Sequence, residues 1–229
     1  MSRVMFSALQ LFVRAVVHFL IDWKASGTKN IPHKGPVILV ANHLSMLDPL
    51  MIALSTPGRR ICYVAKEELF SIPGLVIILK LFGSVSIKRG TPDRRALEQS
   101  LRILKSGRVL GMFPEGTRSQ AGELQEGQRG AALLALHSGA PVVPVGITGT
   151  KAVFEGGKKW PRRSAPVQVT VGLPIYLAHG PGAIRRHELE EATGTIMRAL
   201  ADLLPEEQRG WYRSSATAGA TAREPTGKA

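Results

Sequence analysis

The stretch Pro36-Val37-Ile38-Leu39-Val40-Ala41-Asn42-His43-Leu44-Ser45-Met46-Leu47-Asp48-Pro49 decides the fold. Its first six residues form an apolar, β-branched run without polar alternation, which suits a strand covered on both faces. The run stops at Asn42-His43. Asp48-Pro49 then reads as a helix start, with the carboxylate at the N-cap and proline at the first helical position, continuing to about Ser55. Working outward, further strands are predicted at 60–65, 84–88, 108–113, 141–148 and 166–171. The clearest helices between them are 93–105, with Leu97, Leu101 and Leu104 on one face, 128–137 and 186–204. This alternation predicts an α/β domain: a mostly parallel sheet flanked by helices on both faces, with the loops at the carboxyl ends of the strands carrying the site.

The chain has 229 residues, enough for one full α/β core, and its 44% hydrophobic content with 24 Gly and 15 Pro excludes a coiled coil and a wholly disordered chain. Lys and Arg exceed Asp and Glu by 30 to 17, a net charge of +13 that attracts phosphates on nucleic acid, anionic lipid or a nucleotide. Charge alone does not choose among them. A basic nucleic-acid-binding protein is the remote alternative, disfavoured because neither aromatic-interleaved basic strands nor a zinc finger is present. The single cysteine, Cys62, excludes a disulfide framework and Cys-based zinc sites, fits a reducing compartment, and reads as a buried small hydrophobe.

Residues 4–23 are twenty mostly apolar positions, interrupted by Arg14 and His18. On a helical wheel Arg3, Ser7, Gln10, Arg14 and His18 fall on one polar stripe. Met5, Phe6, Leu9, Phe12, Val13, Val16, Phe19, Leu20 and Trp23 occupy the rest. The pattern is that of an amphipathic helix in the membrane interface; a helix packed on the domain core and a true span are the competing readings, the span disfavoured by the cost of a mid-bilayer Arg. A second apolar stretch, 69–87, is cut by Pro73, Gly74 and Gly83 and is read as a short apolar helix at 74–82 followed by a strand. The expected organisation is therefore an interfacial helix at 1–24, the α/β domain at 25–205, and, where the composition turns to Ser, Ala, Thr, Gly and charge, a disordered tail at 206–229.

Three loops carry the chemistry. His43 and Asp48 lie five residues apart, about 140° around a continuous helix, so they meet only if His43 sits in the loop before the helix and folds back. Asp48 accepting from Nδ1–H would fix the tautomer and leave Nε2 to take a proton from a hydroxyl. On spacing alone, a plain helix cap beside a loop histidine is the commoner reading, and a metal site lacks a third ligand nearby. Lys88-Arg89-Gly90 closes a strand with two cations, a phosphate grip or, more often in such turns, a solvated pair. Phe113-Pro114-Glu115-Gly116-Thr117-Arg118-Ser119 leaves a strand through Pro and Gly; Arg118 can hold a phosphate bidentately with the amides of Gly116 and Thr117 adding donors, or pair with Glu115 and merely staple the loop. It is not a P-loop, since no Gly-Lys-Ser/Thr follows.

In that order, Asn42 to Asp48, Gly83-Ser84-Val85-Ser86-Ile87-Lys88-Arg89, Phe113 to Ser119 and Val143-Pro144-Val145-Gly146-Ile147 resemble the four motif blocks of the glycerolipid acyltransferases with the H-x4-D motif, most closely the 1-acyl-sn-glycerol-3-phosphate acyltransferases. The likeness extends over roughly residues 25–175. It implies His43 and Asp48 as the catalytic pair and Lys88, Arg89, Glu115, Gly116, Thr117 and Arg118 around the acceptor phosphate and glycerol. Family members commonly carry a Lys before the helix leading to the fourth block, where this chain has Gln128-Arg129-Gly130, and whether Arg129 substitutes for it is open. The implied reaction moves an acyl chain from acyl-CoA or acyl-carrier protein to the sn-2 hydroxyl of lysophosphatidic acid, giving phosphatidic acid, with no metal or other cofactor. A nucleophile elbow is absent, which favours direct transfer. Other lysophospholipids, a lyso-ornithine lipid or glycerol 3-phosphate are alternative acceptors. The expected partners are the two substrates and an anionic membrane surface, and the expected location is the cytoplasmic face of the cell membrane, monotopic or peripheral.

Overall fold

The computed structural model describes residues 3–72, 76, 84–87, 93–153, 166–177 and 183–213. Seven strands form one sheet: β1 (Trp23–Ser26), β2 (Val37–Ala41), β3 (Ile61–Lys66), β4 (Val85–Ile87), β5 (Val109–Met112), β6 (Val142–Thr148) and β7 (Val167–Val171), in the order β1-β7-β6-β2-β5-β3-β4. β6, β2, β5, β3 and β4 run parallel, β7 is antiparallel to β6, and β1 is parallel to β7. The mostly parallel sheet expected from the alternation is thus present. The strand missed by the sequence reading is β1, four residues that merge into the end of the N-terminal apolar stretch.

Helices α1 (Arg3–Leu20), α2 (Asp48–Leu54), α3 (Arg94–Lys105), α4 (Gly130–Ser138) and α5 (Arg186–Ala201) flank the sheet. All five residues of β2 are buried and divide by alternation. Ile38 and Val40 join Leu104, Leu134, Ile196 and Leu200 on the face covered by α3, α4 and α5. Val37, Leu39 and Ala41 join Val17, Ile21, Met51 and Ile52 on the face covered by α1 and α2. Burial on both faces explains the unbroken apolar run, and each such side chain contributes roughly 1.5–3 kcal/mol. Asp93 caps α3 by accepting from the Ala96 amide.

The N-terminal helix differs from its wheel reading. Phe6, Val17 and Ile21 are buried against the domain. Gln10, on the polar stripe, also faces inward: its Nε2 donates to the carbonyls of Ala53 and Thr56, and its Oε1 accepts from Gly58 N–H. These bonds tie α1 to the C-terminal end of α2 and the turn that follows it. Arg14 lies over the Trp23 ring at 5.3 Å. Other apolar residues of the helix face outward: Leu11, Phe12 and Phe19 are 69%, 66% and 74% exposed, and Met5, Leu9 and Val16 are exposed beside them. The helix is therefore both packed on the core and apolar on its open side. Among the described residues no helix is long and apolar enough to cross a membrane.

Two expected boundaries move. The helix ends at Leu20 and Trp23 is already a sheet residue, so the α/β domain begins before residue 25. Residues 206–213, expected in the tail, form short turns at Glu206–Gln208 and Gly210–Tyr212, where Trp211 N–H donates to Leu124 O and the Tyr212 hydroxyl accepts from Gly127 N–H. These contacts to the loop after β5 hold a polar segment that composition alone would leave loose. Residues 214–229 and the short helix expected at 74–82, Val76 apart, lie outside the described residues.

Candidate active site

Because β2, β5 and β6 are parallel, the loops after them gather at one edge of the sheet. Asn42 extends β2 by one residue through its side chain: Nδ2 donates to Ile147 O at 2.8 Å and Oδ1 accepts from Ile147 N–H at 2.7 Å. His43 follows as the first residue free of the sheet. Its amide donates to Glu115 Oε1 at 2.7 Å and its carbonyl accepts from Ser119 N–H at 2.8 Å, so the loop after β5 grips its backbone from both sides.

The chain from His43 to Asp48 folds back as the spacing requires. Asp48 Oδ2 lies 2.8 Å from His43 Nδ1 and accepts from the amides of Leu44 at 2.6 Å and Ser45 at 2.7 Å. Asp48 is fully buried and the His43 side chain is 15% exposed. The carboxylate was expected at the N-cap, but Leu47 holds that position and Asp48 is the first helical residue. Its side chain turns back into the loop because two loop amides and the imidazole converge on it. The plain-cap reading therefore gives way to the His–Asp pair. With Nδ1–H committed to Asp48, Nε2 is the nitrogen left to exchange a proton.

Phe113 stacks on the His43 ring at 4.0 Å between centroids and 21°, and Tyr63 lies parallel to Phe113 at 6.4 Å. Tyr63 donates to the carbonyl of Pro49 at 2.6 Å, which ties β3 to the start of α2, and its burial raises the phenol far above its ordinary range. Gly111 makes room for it: a Cβ there would lie 2.6 Å from the Tyr63 ring. Sequence reading found neither aromatic role, since Tyr63 sits within β3 and Phe113 just past β5 in positions without distinctive spacing.

Glu115 was expected at the acceptor site or in an ion pair with Arg118. It is instead buried, with Oε1 on the His43 amide and Oε2 on the Gln125 amide at 3.0 Å. Burial pushes its carboxyl up to about 7, against the pull of those amides. It holds two loops together. Gly116 turns the chain at φ +73, its amide donating to Phe113 O, and Thr117 and Arg118 are exposed beyond it. No ion pair forms between Arg118 and Glu115, which leaves the guanidinium available to an anion. Arg129 pairs with Glu190 at 2.8 Å and joins α4 to α5. Lys88 and Arg89 follow β4 and lie outside the described residues. Among the described residues no group of three His, Cys, Asp or Glu side chains is placed to hold a metal.

A buried participant that the sequence did not signal is Thr150, whose hydroxyl donates to Asp48 Oδ1 at 2.6 Å. It lies just past the fourth block in a turn without distinctive spacing.

A family model described as Acyltransferase matches residues 22–148. A chloroplastic 1-acyl-sn-glycerol-3-phosphate acyltransferase of Brassica napus is 32% identical over 153 residues, 66% of this chain and 44% of that protein. The 1-acyl-sn-glycerol-3-phosphate acyltransferase of Pseudomonas aeruginosa is 29% identical over 198 residues, 82% of this chain and 73% of that protein. Among solved structures, the 1-acyl-sn-glycerophosphate acyltransferase PlsC from Thermotoga maritima superposes with a TM-score of 0.67 at 28% identity, covering 86% of this chain and 77% of that one. The chain spans about half the length of the first curated relatives it matches. With the family model covering more than half its length and the same mostly parallel fold in a homologous structure, the chain belongs to the acyltransferase family.

Proposed function

We propose that this protein transfers an acyl chain from an acyl thioester to the sn-2 hydroxyl of lysophosphatidic acid, giving phosphatidic acid. The observation that carries the reading is the His43–Asp48 pair, a buried carboxylate 2.8 Å from Nδ1 of a partly exposed imidazole. His43 Nε2 takes the hydroxyl proton as the oxygen attacks the thioester carbonyl. The tetrahedral intermediate collapses with loss of the thiolate, and the imidazolium returns the proton to sulfur. Asp48 stabilises the imidazolium between those steps, and Phe113 holds the ring plane. A thioester already carries a good leaving group, so a positioned base and a positioned acceptor suffice, with orientation contributing alongside roughly 10²–10⁴-fold from base catalysis.

Arg118, with Lys88, Arg89 and the amide of Thr117, is assigned to the acceptor phosphate and glycerol; Gly116, whose amide is committed to Phe113 O, shapes the turn that carries Thr117 and Arg118. The names of the relatives from Brassica napus and Pseudomonas aeruginosa support that acceptor. Acyl-CoA and acyl-carrier protein are both anionic and both suit a chain of net charge +13. The open apolar side of α1, flanked by Arg14 and His18, is assigned to the membrane interface on the cytoplasmic side, where lysolipid and product reside. No metal or other cofactor enters the reaction.

The test is transfer from labelled acyl-CoA and acyl-carrier protein to a panel of acceptors in mixed micelles. Lysophosphatidic acid as the preferred acceptor supports the assignment. Preference for a phosphate-free lyso-ornithine lipid, another lysophospholipid or glycerol 3-phosphate moves the protein to another branch of the family, and salt-sensitive RNA binding without transfer overturns the enzymatic reading.

A further inference from the structure

Asp48 accepts four hydrogen bonds, unevenly divided. Oδ2 takes His43 Nδ1 and the amides of Leu44 and Ser45, all within five residues. Oδ1 takes only the Thr150 hydroxyl, from 102 residues away in sequence. Both side chains are fully buried, so no water substitutes readily for either. At 2.6 Å the contact has the length of a charge-assisted O–H···O⁻ bond.

The backbone around Thr150 is shaped to deliver that hydroxyl. Gly149 has φ +82, and a Cβ there would lie 2.0 Å from Pro166 O, so only glycine turns the chain at this point. Ala152 N–H donates to Gly149 O and closes the turn with Thr150 inside it. β6 neighbours β2, so the turn after β6 meets the start of α2, which follows β2.

From this geometry we propose that Thr150 is a positioning residue of the acyl-transfer centre, fixing the plane of the Asp48 carboxylate so that Oδ2 stays aligned with His43 Nδ1. Rotation about Cβ–Cγ moves both oxygens together, so the Thr150 donor on Oδ1 adds a restraint against it to the three on Oδ2, and does so from a different loop than the one carrying His43. Thr150 touches no reacting atom; it acts through Asp48 on the orientation and basicity of His43. The proposal rests on His43 being the base.

The experiment compares full-length Thr150→Val, Thr150→Ala and Thr150→Ser proteins with the native chain in two assays. In acyl transfer to lysophosphatidic acid, removing a hydrogen bond to a charged group is expected to lower kcat by about 10- to 30-fold in Thr150→Val and Thr150→Ala, with the acceptor KM within about twofold. Thr150→Ser retains the hydroxyl and is expected to stay within about threefold of native kcat. Without substrate, the imidazole 15N resonances of His43, assigned by their loss in His43→Ala, are expected to move in the Val and Ala proteins and not in Ser. Native kcat in Thr150→Val, a loss confined to KM, or equal losses in Ser and Val overturns the proposal. Unmoved ring resonances overturn it independently of turnover, whereas a native protein that acylates no lysophosphatidic acid overturns the functional reading and leaves the resonance test intact.

Discussion

Asp48→Asn separates the charge of Asp48 from its shape. The amide is isosteric, its oxygen can keep the three donors now on Oδ2, and its NH₂ can donate to the Thr150 hydroxyl, which also accepts. The loop should therefore hold, and the melting temperature should change little. What disappears is the attraction between a carboxylate and the imidazolium formed in the transition state. Asp48 is fully buried and His43 is 15% exposed, so solvent screens the pair weakly. With an effective dielectric near 20 and charges about 4 Å apart, the attraction is about 4 kcal/mol, or about 10³-fold in rate. Because the imidazolium forms only as the reaction proceeds, the loss belongs in kcat. The assay is steady-state transfer from labelled acyl-CoA to lysophosphatidic acid in mixed micelles, with kcat and KM measured separately. A kcat within tenfold of native, in a protein of native melting temperature, would show that the carboxylate only braces the loop and would refute its stabilisation of the imidazolium.

Other perturbations probe the surrounding parts. Glu115 has its carboxyl raised to about 7 by burial, so its protonation stabilises the fold fully below its ordinary value near 4.5, and that stability is lost as pH rises through about 7. Relative to Glu115→Gln, the native protein should lose about 3 kcal/mol between pH 4.5 and 8, read from paired denaturation curves; a constant difference would contradict the burial argument. Arg118→Ala should raise the KM for lysophosphatidic acid by about 10- to 100-fold with little change in kcat, as expected for one charge-assisted phosphate contact, and an unchanged KM would remove Arg118 from the acceptor site. Replacing Phe12 and Phe19 by Ser should weaken binding to anionic phosphatidylglycerol vesicles about 100-fold by sedimentation, from loss of about 3 kcal/mol of apolar burial in lipid. Since both side chains already face solvent, the melting temperature should not move, and undiminished vesicle binding would sink the interfacial assignment.

Most of the sheet was legible because the central strands are buried on both faces and leave long β-branched runs, as in 37–41 and 142–148. β1 was not, since four residues ending in Ala-Ser carry too little pattern to separate from the preceding apolar helix. The outward apolar side of α1 was readable as periodicity, but a wheel cannot say which sector meets the domain. That choice is made by Gln10, which bonds to the end of α2 from 43 residues away. The same limit applies at the site. His43 and Asp48 are close in sequence, so the fold-back was readable as the condition for their meeting, although spacing alone favoured a plain cap. Glu115 and Thr150 act through contacts 72 and 102 residues away, so their partners become visible only when β5 and β6 are laid beside β2. Glu115 also shows that a polar residue in a Pro/Gly loop can serve the loop itself: buried, it accepts from two backbone amides.

The central claim is that His43 is the base for acyl transfer to lysophosphatidic acid, and the most direct measurement is the initial rate of that transfer by the native protein and by His43→Ala at saturating substrates. The account predicts measurable phosphatidic acid from the native protein and a kcat lower by about 10²–10⁴-fold in the variant. A His43→Ala protein that transfers acyl groups at the native rate would contradict it.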